Sequence, residues 1–345
     1  MSDSMTRRGF VKSVGYGGVA ATALAGLTAA DGAEPESGAK SSPAGRLSTE
    51  KIRIGTLVQG NVPKGPGNYI RQILPHGFES FAIVFTHHLG GADLPRMAAE
   101  VKEALGDSGA VVSSLGVYGN PLADTEMARA TCNAWKQLID AAGLFGASIV
   151  TGFAGRVVDK PVPESMPRFA QVFGPLARQA RDKGLRLAFE NCEMGGDWRR
   201  GDWNIAHNPT AWELMFNAIP LDNIGLEWEP AHQMCALIDP LPQLRKYVKR
   251  VFHLHGKDAT VLWDVIREHG IGGCRPFVFH RTPGFGDCNW TDVISELRRG
   301  GFTGSIDIEG WHDPVYREEL EMTGQVAGLN YLKRCRGGSF VPNPK

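Results

Sequence analysis

Four apolar runs in the second half of the chain end, one after another, on a side chain able to hold a cation. "LRLAFEN" (185–191) offers Glu190, "IGLEWE" (224–229) offers Glu229, "VFHLHGKD" (251–258) offers His255, and "GSIDIEG" (304–310) offers Glu309. A single acidic residue at a strand end is explained by a loop cap or an ion pair. Four in succession are harder to dismiss. Carboxylates packed together raise one another's pKa and repel unless a cation neutralises them. A divalent metal resolves the conflict. Three oxygens and one nitrogen suit Mn2+ first, or Mg2+, above a structural zinc, with Co2+ and catalytic Zn2+ left open.

Residues i and i+2 of a strand share a face. Glu227 with Glu229, His253 with His255, and Asp307 with Glu309 are therefore same-face pairs. The inner member of each lies one layer deeper, where it can support a ligand by hydrogen bonding. His253 reads equally as a hydrogen-bonded core histidine. His232 follows Glu229 by three residues, and Lys257 and Asp258 come directly after His255. Trp198, Trp203, Trp263 and Trp311 fall in connecting segments. Their flat faces suit a sugar ring, and a plain loop anchor explains each as well.

The elements that must carry these side chains alternate through the chain. Strand-like runs at 51–58, 80–85, 111–119, 147–153, 185–191, 224–229, 251–255 and 304–310 each precede a helical stretch. The fourth helix is "MPRFAQVFGPLARQARDKG", and the last is expected from Tyr316 to Cys335. Short apolar strands separated by helices imply a parallel sheet with crossovers. Eight such units after residue 50 predict an α/β fold, a closed (β/α)8 TIM barrel spanning 51–345. An open doubly wound sheet would want a glycine-rich phosphate turn after the first strand, and "VQGNVPKGPGN" lacks that spacing. In a barrel the C-terminal strand ends form the active face, so the four candidate ligands converge. The insert 259–288 is long enough to act as a lid or as a subunit interface in a homo-oligomer.

Thirty-seven basic residues balance thirty-seven acidic ones, so no basic field exists to hold a nucleic acid. The first residues read differently from the rest. "TRRGFVKS" (6–13) precedes a mild, Gly/Ala-rich apolar run, the pattern of a twin-arginine export signal over 1–33, followed by a flexible linker at 34–50. The expectation is a periplasmic or exported protein with no membrane span in its mature chain. Six cysteines are widely spaced with no CxxC, which does not suggest a disulfide scaffold.

From "NIAHNPTAW" through "IGLEWEPAH", "FHLHGKD" and "RTPGFGD" to "SIDIEG", the chain resembles the sugar phosphate isomerase/epimerase group of xylose isomerase-like barrels. The resemblance implies that Glu190, Glu229, His255 and Glu309 bind one divalent metal, with Glu229 standing where that group usually has Asp. It implies that Glu190 and Glu309 exchange protons on opposite faces of the substrate. It also places His232 and Arg281 near the substrate and matches Lys257 and Asp258 to an H-x-K-D form; these four and Trp203, by its flat face, are the candidate substrate residues, and His253, Glu227 and Asp307 are the candidate supports by the same-face rule. The function so implied is isomerisation or epimerisation of a ketose or keto-sugar, beginning with proton removal beside a polarised carbonyl.

Three other functions remain to be weighed. A lyase or hydrolase acting on 3-keto-glycosides by β-elimination would use the same proton abstraction. A non-catalytic sugar-binding barrel would not need the metal set. An endonuclease IV-type phosphodiesterase would need many histidines, and the first four strand ends supply only His87 and His88. Export favours a free sugar or glycoside as substrate over a phosphorylated one.

Overall fold

The protein is described from a computed structural model covering residues 51–338 and 340–344. The expected export signal and the expected linker lie outside the described residues. Strands β1 (Arg53–Gln59), β2 (Ser80–Thr86), β3 (Val111–Tyr118) and β4 (Ile149–Gly152) alternate with helices α1 (Gly65–Ile73), α2 (Leu94–Leu105), α3 (Glu126–Phe145) and α4 (Met166–Asp182). Then come β5 (Arg186–Glu190), α5 (Pro209–Ala218), β6 (Ile224–Trp228), the short α6 (Pro230–Cys235), α7 (Pro240–Tyr247) and β7 (Val251–Gly256). An insert holds β8 (Asp258–Val261), α8 (Trp263–His269) and β9 (Val278–Arg281). The chain finishes with α9 (Trp290–Arg299), β10 (Ser305–Ile308) and α10 (Glu321–Arg336).

Eight parallel strands close in the order β1-β10-β7-β6-β5-β4-β3-β2, the TIM barrel that the strand–helix alternation predicts. Parity divides each strand. Ile306 and Ile308 of β10, Leu254 of β7, Leu226 of β6 and Leu187 of β5 join the main hydrophobic core with helix residues such as Trp212 and Leu297. The alternate residues turn into the barrel, and there the two halves differ. Leu57, Ala82 and Val84 give β1 and β2 an apolar lining, against which Tyr118 and Trp311 pack. The interior positions of β5, β6, β7 and β10 carry charge.

Local chemistry sets where the helices begin. Asp93, Thr125, Asn208 and Asn289 each cap a helix by accepting a backbone N–H with the side chain. One glycine is dictated by the interior. A Cβ on Gly55 would lie 2.0 Å from Ser80 O and 2.2 Å from Asp307 Oδ1, so only hydrogen fits where β1 passes the buried aspartate.

One expectation is corrected. The last helix begins at Glu321, not near Tyr316, because the intervening residues form a loop ending in a 3-10 turn at Glu318–Leu320 with Glu318 at φ 53°. The insert is partly ordered by an antiparallel ladder, Asp258 opposite Arg281 through Val261 opposite Val278. Residues 262–277 form a separate small unit built on α8, closed at its neck by Leu262 N–H donating to Phe277 O. All six cysteines are free.

Candidate metal centre

Strand register sets the interior charged residues of β5, β6, β7 and β10 side by side. Glu190 pairs with Glu227 across β5 and β6, Glu227 with His253 across β6 and β7, and His255 with Asp307 across β7 and β10. The next interior residues, Glu229 and Glu309, follow at the strand ends. One ligand atom from each of Glu190, Glu229, His255 and Glu309 lies within 4.8 Å of the others, and all four residues are buried. His255 Nδ1 faces the three carboxylates, 3.2 Å from Glu190 Oε1, 3.6 Å from Glu309 Oε2 and 3.8 Å from Glu229 Oε2. Both oxygens of Glu229 are buried without a hydrogen-bond partner; His232 Nε2 stands 2.6 Å from Oε1 but out of alignment. A fully buried carboxylate with neither oxygen satisfied is costly unless a cation binds it. The donor set therefore fits a divalent metal.

A layer of polar residues below holds the ligands in place. His255 Nε2 lies 3.1 Å from Glu227 Oε1, which leaves Nδ1 as the ligand atom. Glu227 also meets His253 Nδ1 at 2.8 Å and accepts from Tyr118 Oη at 2.7 Å. His253 Nε2 is 2.7 Å from Asp307 Oδ2, and Asp307 accepts further hydrogen bonds from Ser80 and Ser113. With a carboxylate at each ring nitrogen, His253 carries both protons as an imidazolium. Burial pushes its pKa down, but the bonds to Asp307 and Glu227 outweigh that and the net shift is upward. His253 is a buried, fully hydrogen-bonded histidine that reaches His255 only through Glu227.

Above the quartet, Lys257 is buried with Nζ 3.0 Å from Glu309 Oε2, 3.7 Å from Glu229 Oε1 and 3.2 Å from His232 Nε2. Burial lowers its pKa, yet Glu309 and its neighbours more than reverse this, so the ammonium persists. His312 Nε2 holds Glu309 Oε1 at 2.8 Å. Burial raises the Glu309 pKa, but Lys257, His312 and His255 bring it well below the ordinary carboxylate value.

The remaining expected substrate residues divide. His232 and Lys257 join the cluster. Asp258 does not: its oxygens accept from the N–H groups of Ala259, Cys288 and Gly284 and from Trp290 Nε1, pinning the end of the insert. Burial nevertheless moves its pKa up to about 6. Arg281 Nε donates to Asp313 Oδ2 at 3.0 Å, tying β9 to the loop after β10. Trp203 stacks on His87, ring centroids 5.3 Å apart. Its loop is held by buried Arg156, which donates to Lys160 O and Asp197 O, and by Asn120, which donates to Asp202 O. Sequence reading missed Tyr118, although it is the last interior residue of β3. It also missed His312, three residues past Glu309.

Residues 70–335 match the xylose isomerase-like TIM barrel family. Two inosose dehydratases from strains of Clostridium perfringens are 24% identical over 174 residues, 49% of this chain and 54% of theirs. The chain thus spans about half the length of the curated relatives it matches. Among solved structures, the 3-keto-D-glucoside 4-epimerase of E. coli superposes with a TM-score of 0.62 at 16% identity, covering 83% of this chain and 100% of that one. A xylose isomerase domain protein from Planctomyces limnophilus gives 0.64 at 16% identity over 83% and 98%. A D-psicose 3-epimerase structure, determined in the presence of D-fructose, gives 0.58 at 16% identity over 83% and 100%. At these identities the superpositions show the fold.

Proposed function

The chain belongs to the xylose isomerase-like TIM barrel family, and from that premise we propose that it is a divalent-metal-dependent isomerase or epimerase acting on a ketose or keto-sugar. The observation that carries the reading is the buried quartet of Glu190, Glu229, His255 and Glu309, with neither oxygen of Glu229 hydrogen-bonded. A bound cation, Mn2+ by preference, supplies Lewis-acid polarisation of a substrate carbonyl and acidifies the adjacent C–H. Glu309, held ionised by Lys257 and His312, takes the proton, and Glu190, on β5, returns one to the opposite face. Lys257 places a fixed positive charge beside the oxygen that becomes negative. Tyr118, Glu227 and His253 keep the His255 ring oriented.

Lys257 also favours a second reading. A buried ammonium 3.0 Å from the base is placed to protonate a leaving oxygen, as β-elimination from a 3-keto-glycoside requires. Epimerisation and dehydration, both named among the relatives, can each start from the same proton abstraction. The twin-arginine-like segment supports an exported enzyme and hence a free sugar or glycoside as substrate.

The test is incubation of the Mn2+-loaded protein in D2O with ketoses and with 3-keto-glycosides, followed by NMR. Deuterium entering an otherwise intact sugar supports epimerisation. Aglycone release from the oxidised glycoside, with none from the unoxidised one, supports elimination. Neither reaction with any divalent metal, in a protein that still binds the sugar, would reduce it to a binding barrel.

A further inference from the structure

Two aromatic rings meet at the mouth of the barrel and take no part in the chemistry proposed above. His87 directly follows β2, and Trp203 lies between β5 and α5; their planes differ by 31°. Both residues are partly exposed. Burial and the neighbouring His88 lower the His87 pKa, so the imidazole is neutral and the pair presents flat surface without charge.

The pair is joined to the metal centre from both sides. The His87 N–H donates to Tyr118 O at 3.0 Å, and Tyr118 Oη lies 3.4 Å from His255 Nε2. Asn204, the residue after Trp203, donates from Nδ2 to the backbone oxygen of Glu190 at 2.8 Å. The Trp203 loop also carries Glu193, whose Oε2 is 3.0 Å from His232 Nδ1, and His232 Nε2 is 3.2 Å from Lys257 Nζ. One loop therefore links the rings to the ammonium that stands beside a leaving oxygen.

Holding the rings there costs the fold stability. His87 sits at φ 63°, a conformation that a non-glycine residue keeps only where its surroundings over-determine it. Here Thr131 Oγ1 donates to His87 O at 2.7 Å, beside the bond to Tyr118. Under the Trp203 loop, Arg156 is wholly buried, and its guanidinium donates to the backbone oxygens of Lys160 and Asp197. A buried charge answered by carbonyl dipoles alone is costly. A Cβ on Gly201 would come 2.7 Å from Arg156 Nη1, so the loop is moulded closely on that group. A passive connection between β5 and α5 requires none of this.

We propose that His87 and Trp203 form a second subsite, outside the reaction centre, for the aromatic aglycone of a glycoside whose keto-sugar occupies the quartet. The inference rests on the metal-centred reading and selects within it a glycoside over a free ketose. Lys257 and His312 give their part of the mouth charge and hydrogen bonds, which suit a carbonyl and hydroxyls; the two rings suit an aryl face stacked offset on the indole. A free ketose has no group to place there. Arg156 is a positioning residue, acting through the loop without touching the substrate.

The test is isothermal titration of the full-length protein with phenyl β-glucoside, methyl β-glucoside and cellobiose, none of which carries the keto group. The phenyl glycoside is expected to bind roughly 2–12-fold more tightly than the methyl one, the worth of one aromatic pair. Trp203→Ala should abolish that preference, and His87→Asn, which tolerates the same backbone conformation, should reduce it. Arg156→Met is read by the ratio of the two affinities, which a merely destabilised protein would not change, and the ratio should fall toward one. Circular dichroism checks that each variant is folded. Equal affinity for the two glycosides, no binding of the phenyl one, or a preference that survives Trp203→Ala overturns the proposal; tighter binding of cellobiose than of phenyl glucoside assigns the rings to a second sugar and overturns it too. The phenyl preference should persist in His255→Ala and without metal. A protein that keeps it but catalyses neither reaction refutes the metal-centred reading alone, and one that reacts with ketoses without it refutes the subsite alone.

Discussion

Replacing His253 with alanine tests whether the layer under the metal centre is ionic. The ring bridges Glu227 and Asp307 at 2.8 and 2.7 Å, and all three side chains are fully buried. Removing one partner of a buried ion pair costs about 3–5 kcal/mol, because the charge left behind has no solvent to relax into. Here two carboxylates lose the same cation. Each retains other donors, Tyr118 and His255 for Glu227, Ser80 and Ser113 for Asp307, so the loss belongs within that range rather than at its double. Urea denaturation of the metal-free protein should show it as a lowered midpoint. A second substitution, Glu227→Gln, removes one stranded charge, and His253→Ala/Glu227→Gln should recover part of the stability where a simple cavity would not. A loss below about 1 kcal/mol, or a double variant no more stable than His253→Ala, would refute the imidazolium bridge. Metal affinity should fall with it by about 10–100-fold, since Glu227 also orients His255.

Two further outcomes follow from the same geometry. Glu229→Gln should weaken Mn2+ binding by more than the about 10–100-fold typical of a lost supporting partner, as equilibrium dialysis would show, because it removes a buried carboxylate whose oxygens make no hydrogen bonds. At the other end of the barrel, burial raises the Glu79 pKa, but Arg336, Lys51 and the Ile54 N–H pull it below its usual 4.5. A lowered folded-state pKa stabilises above the unfolded value and is lost as pH falls through the folded one, so the wild type's advantage over Glu79→Gln should be full above about pH 4.5 and shrink below it in thermal melts.

The barrel and the convergence of the quartet were legible because both rest on simple periodicities. Alternation of apolar strands with helices fixes the topology, and parity along β6, β7 and β10 sets Glu227, His253 and Asp307 beneath the last interior residues. What escaped was non-local or competitive. Tyr118 sits at an ordinary strand end, and only closure of the barrel brings its hydroxyl to Glu227, across the interior on β6. Asp258 follows the ligand strand like a substrate residue, but the Ala259 N–H beside it and two backbone N–H groups and an indole in the returning chain compete for its oxygens. The β8–β9 ladder joins two four-residue segments separated by 262–277, a spacing that carries no hairpin signal.

Strand β10 is the piece that makes the barrel whole: it pairs with β1 on one side and β7 on the other. It also carries Asp307, which takes hydrogen bonds from Ser80 on β2 and Ser113 on β3, and it delivers Glu309. During synthesis the first three donors of the quartet therefore leave the ribosome well before the fourth. They stay without their floor until the last strand seats between the first and the seventh. A chain truncated before Ser305 loses Glu309 of the quartet, the anchor of the bridging histidine and the closing seam together.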